Sequence, residues 1–233
     1  MICHHSPSPN FTARRDGARP GLVVLHYTAM QCAPSAVSWL CNPESQVSAH
    51  YLISETGDVF QMVAEDQRAW HAGAGQWGAI CDVNSHSIGI ELANPGDCPF
   101  PLPQMTALEG LLAGIMQRWD IAAHRVIGHS DMAPGRKIDP GWRFDWCALA
   151  RAGLSVWPRC DLDHGPAGPA DEQQFLRLIA RFGYTARAEP ATLLASFRLR
   201  FRPWAQGPLG GVDLRIAHDL AARFPVDAEG ANA

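Results

Sequence analysis

Lysine is nearly absent: of the 19 basic residues, 18 are Arg and the remaining one is Lys137. There is no surplus of positive charge either. The 19 bases face 23 acids, for a formal net charge of -4, which excludes a general nucleic-acid or anionic-membrane binder because nothing is left over to neutralise phosphates. No run reaches the roughly 18 apolar residues that a spanning helix needs, so no integral membrane segment is expected. The first residues, Met1 to Asn10, lack a basic segment followed by an apolar stretch, so no secretory signal is expected. Cysteine is present, but its seven copies are odd in number and contain no C-x-x-C, which argues against a disulfide framework or a zinc ribbon. Scattered thiols suit a reducing compartment. The cytoplasm is the expected address, with the periplasm as the alternative if an export signal has been removed.

Several catalytic motifs are missing too. H-E-x-x-H, a P-loop and G-x-S-x-G do not occur. Gly73-Ala74-Gly75-Gln76-Trp77-Gly78 spells G-x-G-x-x-G, but it neither follows a clear strand nor opens a helix, so a dinucleotide site is rejected. Ser130 adjoins His129, and chain neighbours rarely pair as nucleophile and base, which argues against a serine hydrolase.

What is present is enough to build a core. The 233 residues are 47% hydrophobic and 18% charged, long enough for one ordinary domain and a small second one. The 21 Gly and 18 Pro point to many loops. Residues 1–20 are polar and carry Pro and Arg, as a surface arm would. Residues 21–26 read as a buried strand ending in His26, and residues 35–40 as one or two helical turns. Segments 46–53 and 58–63, around Glu55-Thr56-Gly57, predict a hairpin. Residues 87–92 predict a strand, with Glu91 opposite Ile88 and Ile90 given a bend in the local alternation. Residues 104–119 carry the three-and-four apolar spacing of an amphipathic helix. Residues 124–127 predict a third buried strand, followed by a long Gly/Pro loop over 128–141. Strands alternating with helices imply an α/β fold, a central mixed sheet flanked by helices. Composition shifts near residue 153, dividing the chain into a main domain (1–155), a Gly/Pro/Asp linker (156–170) and a small helical domain (171–233). The latter shows helical patterns over 171–182, 190–201 and 211–223, a three-helix bundle expected to lean on its neighbour.

Chemistry concentrates between His129 and Gly141. His129 stands at the expected end of a strand, and Asp139 lies ten residues on, with Pro134-Gly135 and Pro140-Gly141 to turn the loop back. With His26, also at a strand end, they make a His-His-Asp set with an open fourth position, the donor chemistry of catalytic zinc. Any one of ten histidines is by itself more readily a core or surface imidazole. Two strand-end histidines, a loop carboxylate and the lone lysine together are harder to explain that way.

Five ordered pieces carry a resemblance: Val24-Leu25-His26-Tyr27-Thr28-Ala29, Ser48-Ala49-His50-Tyr51-Leu52-Ile53, Ala69-Trp70-His71-Ala72-Gly73, Ser87-Ile88-Gly89-Ile90-Glu91-Leu92-Ala93-Asn94 and the 129–141 loop. Over roughly residues 20–150 the chain resembles the zinc-dependent N-acetylmuramoyl-L-alanine amidases of the AmpD type, which share their fold with phage lysozyme-type amidases and peptidoglycan recognition proteins. The resemblance implies zinc on His26, His129 and Asp139, with Glu91 and Lys137 as catalytic groups. Glu91 would move the proton from water to the leaving amine, and Lys137 would steady the oxyanion. His50, Trp70, His71, Asn84, Ala133 and Arg136, in or beside the same motifs, are the substrate-contacting candidates. Trp77 is a further stacking candidate unless it is buried. The implied partner is a muropeptide or peptidoglycan. Phe175-Leu176 to Phe182-Gly183-Tyr184 and Ser196 to Pro203 resemble the small three-helix peptidoglycan-binding modules appended to some of these amidases, against a simple buttress as the alternative. The expected activity is cleavage of the muramoyl–L-alanine amide in wall recycling; action on intact peptidoglycan is the alternative. A non-catalytic binder would be expected to have lost a zinc ligand, and none of the three is missing.

Overall fold

Leu22-Val23-Val24-Leu25 reads as an unbroken apolar run because its strand is covered on both faces and paired along both edges. The computed structural model describes residues 3–159 and 170–226 of the chain. Along it run β1 (Cys3–His5), β2 (Phe11–Ala13), β3 (Leu22–Tyr27), α1 (Ala33–Leu40), β4 (Tyr51–Ile53), β5 (Val59–Gln61), β6 (Gln67–Ala69), α2 (Val83–His86), β7 (Ser87–Leu92), α3 (Leu102–Trp119), β8 (Val126–Gly128), α4 (His129–Met132) and α5 (Trp146–Arg151). Three helices follow: α6 (Glu172–Phe182), α7 (Pro190–Phe201) and α8 (Gly211–Arg223). The main sheet has the order β1-β5-β4-β7-β3-β8, with β3 parallel to both β7 and β8 and β4 antiparallel to β5, while β2 and β6 form a separate antiparallel pair. It is the mixed sheet flanked by helices that the alternation of patterns predicts.

Side-chain alternation sends the two faces of the sheet to two cores. Val23, Leu25, Ile88, Ile90 and Leu92 pack against Leu108, Leu111, Leu112 and Ile115 of α3. Leu22, Val24 and Ile127 face the other way and join a cluster with Trp77, Phe175, Phe182, Phe197 and Phe201. This second core is continuous from the sheet into the C-terminal helices. Burying each such aromatic contributes roughly 2–3 kcal/mol of transfer free energy, so the helical module and the sheet stabilise one another. Trp77 is fully buried there and is no stacking surface for a ligand. It meets the edges of Phe182 and Tyr184, and Gly183 (φ 145°) leaves room for its ring, since a Cβ at that position would lie 2.2 Å from it.

Several local expectations need correction. Residues 3–20 do lie largely at the surface but are tied down: β1 and β2 pair with β5 and β6, and the Arg14 guanidinium donates to the carbonyls of Glu65, Ser85 and Ser87. The hairpin is shorter than its pattern. Before Tyr51, the Ser48 hydroxyl donates to the Asn10 carbonyl (2.6 Å) and accepts from the Trp70 amide (2.9 Å), which holds the chain in a loop. His124 and Arg125 belong to a 3-10 turn, and β8 begins only at Val126. The loop expected from Gly128 opens instead with helix α4, capped by the Asp131 carboxylate, which accepts from the Gly128 amide at 2.8 Å. β7 is regular, so Glu91 lies opposite Ile88 and Ile90 by simple alternation and no bend is required. Residues 160–169, most of the expected linker, lie outside the described residues.

Candidate active site

The face of β7 turned away from α3 carries Ser87, Gly89 and Glu91, and β3 places His26 directly beside Glu91 in register. β8 runs along the other edge of β3 and delivers His129 one residue beyond its end, at the start of α4. The following loop returns so that the Ser130 amide donates to the Asp139 carbonyl at 2.9 Å. Three strands and one turn therefore converge on one point. His26 Nδ1 and His129 Nδ1 are 2.9 Å apart, and Asp139 Oδ2 lies 2.9 Å from the first and 3.0 Å from the second. All three residues are buried.

The far sides of the imidazoles decide what faces that point. His129 Nε2 donates to the Ala72 carbonyl at 2.9 Å, so its Nδ1 carries a lone pair in the neutral ring. The Ser87 hydroxyl donates to the Val83 carbonyl (2.5 Å) and accepts from His71 Nε2 (3.2 Å). His71 Nδ1 then accepts from His26 Nε2 at 3.0 Å, which leaves His26 Nδ1 bare as well. Burial, reinforced by repulsion from His129, lowers the His26 pKa to about 4 and keeps the ring neutral at physiological pH. Two bare nitrogens and a carboxylate oxygen so close together repel unless a cation lies among them. The donor set fits a metal ion. Glu91 supports the same conclusion: its Oε2 is buried without a hydrogen-bond partner. Burial first, and then the Asp139 charge, push its carboxyl up to about 8 against the opposing pull of Lys137.

An open cavity of about 570 Å³ covers this point. His26, His71, Glu91, His129 and Asp139 form its floor; Trp39, Trp70, Arg136, Lys137 and Ile138 stand around it. Trp70, His71 and Arg136 thus reach the cavity, as does Lys137 at its exposed rim. The other three substrate-contacting candidates do not line it. His50 is fully buried alongside β7 and against the His71 ring, where its Nδ1 accepts from the Gly89 amide and its Nε2 donates to the Gln67 carbonyl. Asn84 Oδ1 accepts from the amides of His71 and Ala72 and so holds the segment that orients both His26 and His129. Ala133 is a core residue whose carbonyl receives the Arg136 and Lys137 amides. Gly89 matters in another way: a Cβ there would lie 2.4 Å from the His71 ring. Trp39 and Ile138 were not anticipated, although a large apolar side chain beside a polar motif is a signal that an exposed rim can leave.

A mixed sheet that gathers two histidines, an aspartate and an unpartnered glutamate under an open cavity defines a metal-site hydrolase of amide bonds, and the chain belongs to the N-acetylmuramoyl-L-alanine amidase family, whose model matches residues 16–142. Among named relatives, it is 34% identical to the N-acetylmuramoyl-L-alanine amidase AmiD of Escherichia coli K12 over 78% of this chain and 75% of that one. It is 33% identical to the 1,6-anhydro-N-acetylmuramyl-L-alanine amidase AmpD of Enterobacter cloacae over 61% of this chain and 85% of that one. The solved complex of E. coli AmiD with anhydro-N-acetylmuramic acid-L-Ala-D-γ-Glu-L-Lys superposes with a TM-score of 0.81 and 32% identity, covering 91% of this chain and 93% of AmiD. AmpDh3 of Pseudomonas aeruginosa in complex with an anhydromuramic pentapeptide gives 0.80 and 32%, covering 92% of this chain and 96% of AmpDh3.

Proposed function

We propose that this amidase hydrolyses the bond between the lactyl group of N-acetylmuramic acid, or its anhydro form, and L-alanine, with zinc held by His26, His129 and Asp139. The convergence of three bare donors beside the unpartnered Glu91 Oε2 carries the proposal. Bound zinc supplies Lewis acidity, which polarises the scissile carbonyl and acidifies water. Glu91 takes the proton of the attacking water and hands it to the alanine nitrogen as the C–N bond breaks, leaving a lactyl carboxylate and a peptide with a free amino terminus. A carboxyl whose burial raises its pKa toward neutrality is suited to hold that proton between the two events. The Lys137 ammonium, at the rim, neutralises charge on the carbonyl oxygen as it becomes an oxyanion.

Soluble anhydro-muropeptides are the substrates this reading favours. AmiD and AmpDh3 were solved with such ligands. The aromatic residues Phe175, Phe182, Phe197 and Phe201 of the C-terminal helices are buried in the shared core and so are not offered to a wall polymer. The six described cysteines are free thiols, which supports a cytoplasmic address. The test is to offer the purified protein anhydro-muropeptide and purified sacculi side by side, with zinc and with chelator, and to weigh the released peptide by mass spectrometry. Zinc-dependent release from the soluble substrate is expected. Release from sacculi alone replaces the recycling role with one in wall remodelling, and no release from either overturns the assignment.

A further inference from the structure

We infer that the C-terminal helical module is a working part of the metal site, and that Arg200 of α7 is a positioning residue which acts through Asp131 on the ligand His129. The inference rests on the metal assignment above. Arg200 is 2% exposed and its guanidinium reaches across to the amidase sheet. One arm donates to Asp131 Oδ2 at 2.7 Å and the other to the Val126 carbonyl at 3.1 Å. His129 lies between those two contacts in the chain. Asp131 is fully buried and also accepts from the Tyr184 hydroxyl, again a residue of the module, and from the Gly128 amide. A third module residue, Ser196, donates its hydroxyl to the Ser130 carbonyl at 2.7 Å. The Ser130 amide is bonded to Asp139, so both ligands of the turn are tied to the same assembly. The Arg200 plane is supported by the Trp146 ring, 4.3 Å from its centroid.

The sequence Arg198-Leu199-Arg200-Phe201-Arg202 explains why one helix does two tasks. Successive arginines are two residues apart and project to nearly opposite sides of a helix. Arg198 and Arg202 turn inward to Asp213 of α8, at 2.6 Å and 3.3 Å, and close the module on itself. Arg200 turns outward to the metal-bearing turn. A buried carboxylate held by two donors from the module has no substitute partner once they are removed, and it would then pull the α4 cap apart.

The discriminating experiment compares Arg200→Met with Arg198→Met, two losses of a buried guanidinium from one helix. Zinc affinity is measured by chelator competition, and ligand geometry by the visible absorption of the cobalt(II)-substituted protein. Arg200→Met is expected to weaken zinc binding by roughly tenfold to hundredfold and to alter the cobalt spectrum, the range associated with loss of groups that orient metal ligands. Arg200→Lys, which keeps one charged bond to Asp131, is expected to recover part of that affinity. Arg198→Met is expected to lower the melting temperature while leaving the zinc affinity and cobalt spectrum of the folded protein unchanged. Should Arg200→Met fail to fold, Tyr184→Phe removes a donor from the same carboxylate and is expected to shift affinity and spectrum in the same direction. Wild-type affinity and spectrum in a folded Arg200 or Tyr184 variant overturn the inference, as does an equal loss of zinc in Arg198→Met. If the unaltered protein itself shows no cobalt bands, the metal assignment fails and the role of Arg200 falls with it.

Discussion

The floor and the rim of the cavity are built on opposite terms. On the floor, His26, His71 and His129 are buried, and their outer nitrogens are engaged by His71, Ser87 and the Ala72 carbonyl. At the rim, Lys137 and Ile138 are exposed, and Trp39 is 48% exposed. Fixed imidazoles hold a lone pair in a set direction without further ordering when a ligand arrives. A loop-borne ammonium can instead follow a substrate as its carbonyl changes shape. The difference implies that substitutions on the floor remove the reaction, while those on the rim scale it.

Asp139→Ala is the strongest break. It should abolish stoichiometric zinc and turnover together, and a variant that retains one zinc per chain by metal analysis would remove Asp139 from the ligand set. Glu91→Ala separates the floor's two tasks: zinc should stay, while kcat falls by roughly 10²–10⁴-fold, the span of a lost general acid-base. An active Glu91→Ala enzyme would show that the proton travels by another route. Lys137→Arg probes the rim. The planar guanidinium keeps the charge but changes its reach and donor geometry, so kcat should drop on the order of tenfold to a hundredfold with little change in KM; a surface lysine would tolerate the exchange.

The smallest effect per step concerns acid. His26 and His50 are buried as neutral rings, with pKa values lowered by burial to about 4 and about 3, whereas the unfolded chain takes up their protons near 6.5. Their contribution is therefore complete above about pH 6.5 and is lost as pH falls toward those folded values, with a slope of about 1.4 kcal/mol per pH unit for each group. Protonating His50 would also set an N–H against the Gly89 amide that its Nδ1 now accepts. Melting curves of the metal-free protein should fall steadily from about pH 7 to about pH 5. A flat profile over that window would show that these rings are not held neutral.

The helical module was legible because each of its patterns is local: caps and apolar spacing fall within a dozen residues, and α6, α7 and α8 lie where the spacing predicts them. The His26, His129 and Asp139 cluster was legible for a related reason, since each residue stands at the end of a strand or in the Gly/Pro turn beside one. His50 shares the face of the sheet that carries Glu91 but is buried against the His71 ring instead of lining the cavity, and its motif neighbours give no sign of that depth. That depth depends on the pairing of β4 with β7 and on where the His71 ring packs, which sequence periodicity over so short a strand does not reveal. The strands within the surface arm escape the sequence for the same cause: a three-residue strand has too little pattern to show, and only its partner strand makes it one.

By itself, then, the sequence determined the α/β alternation, the helical C-terminal segment, the donor types His26, His129 and Asp139, and the singular use of lysine at position 137. These are properties of residue identity and short-range spacing. Tertiary structure alone decided that Ser87 and His71 orient His26, that Asn84 orients His71, and that Arg200 reaches Asp131 across a core shared by both parts of the chain. Those contacts join residues 13 to 69 positions apart. Hydrogen-bond direction and buried charge pairing depend on which groups meet in space, and no local period in the chain encodes that meeting.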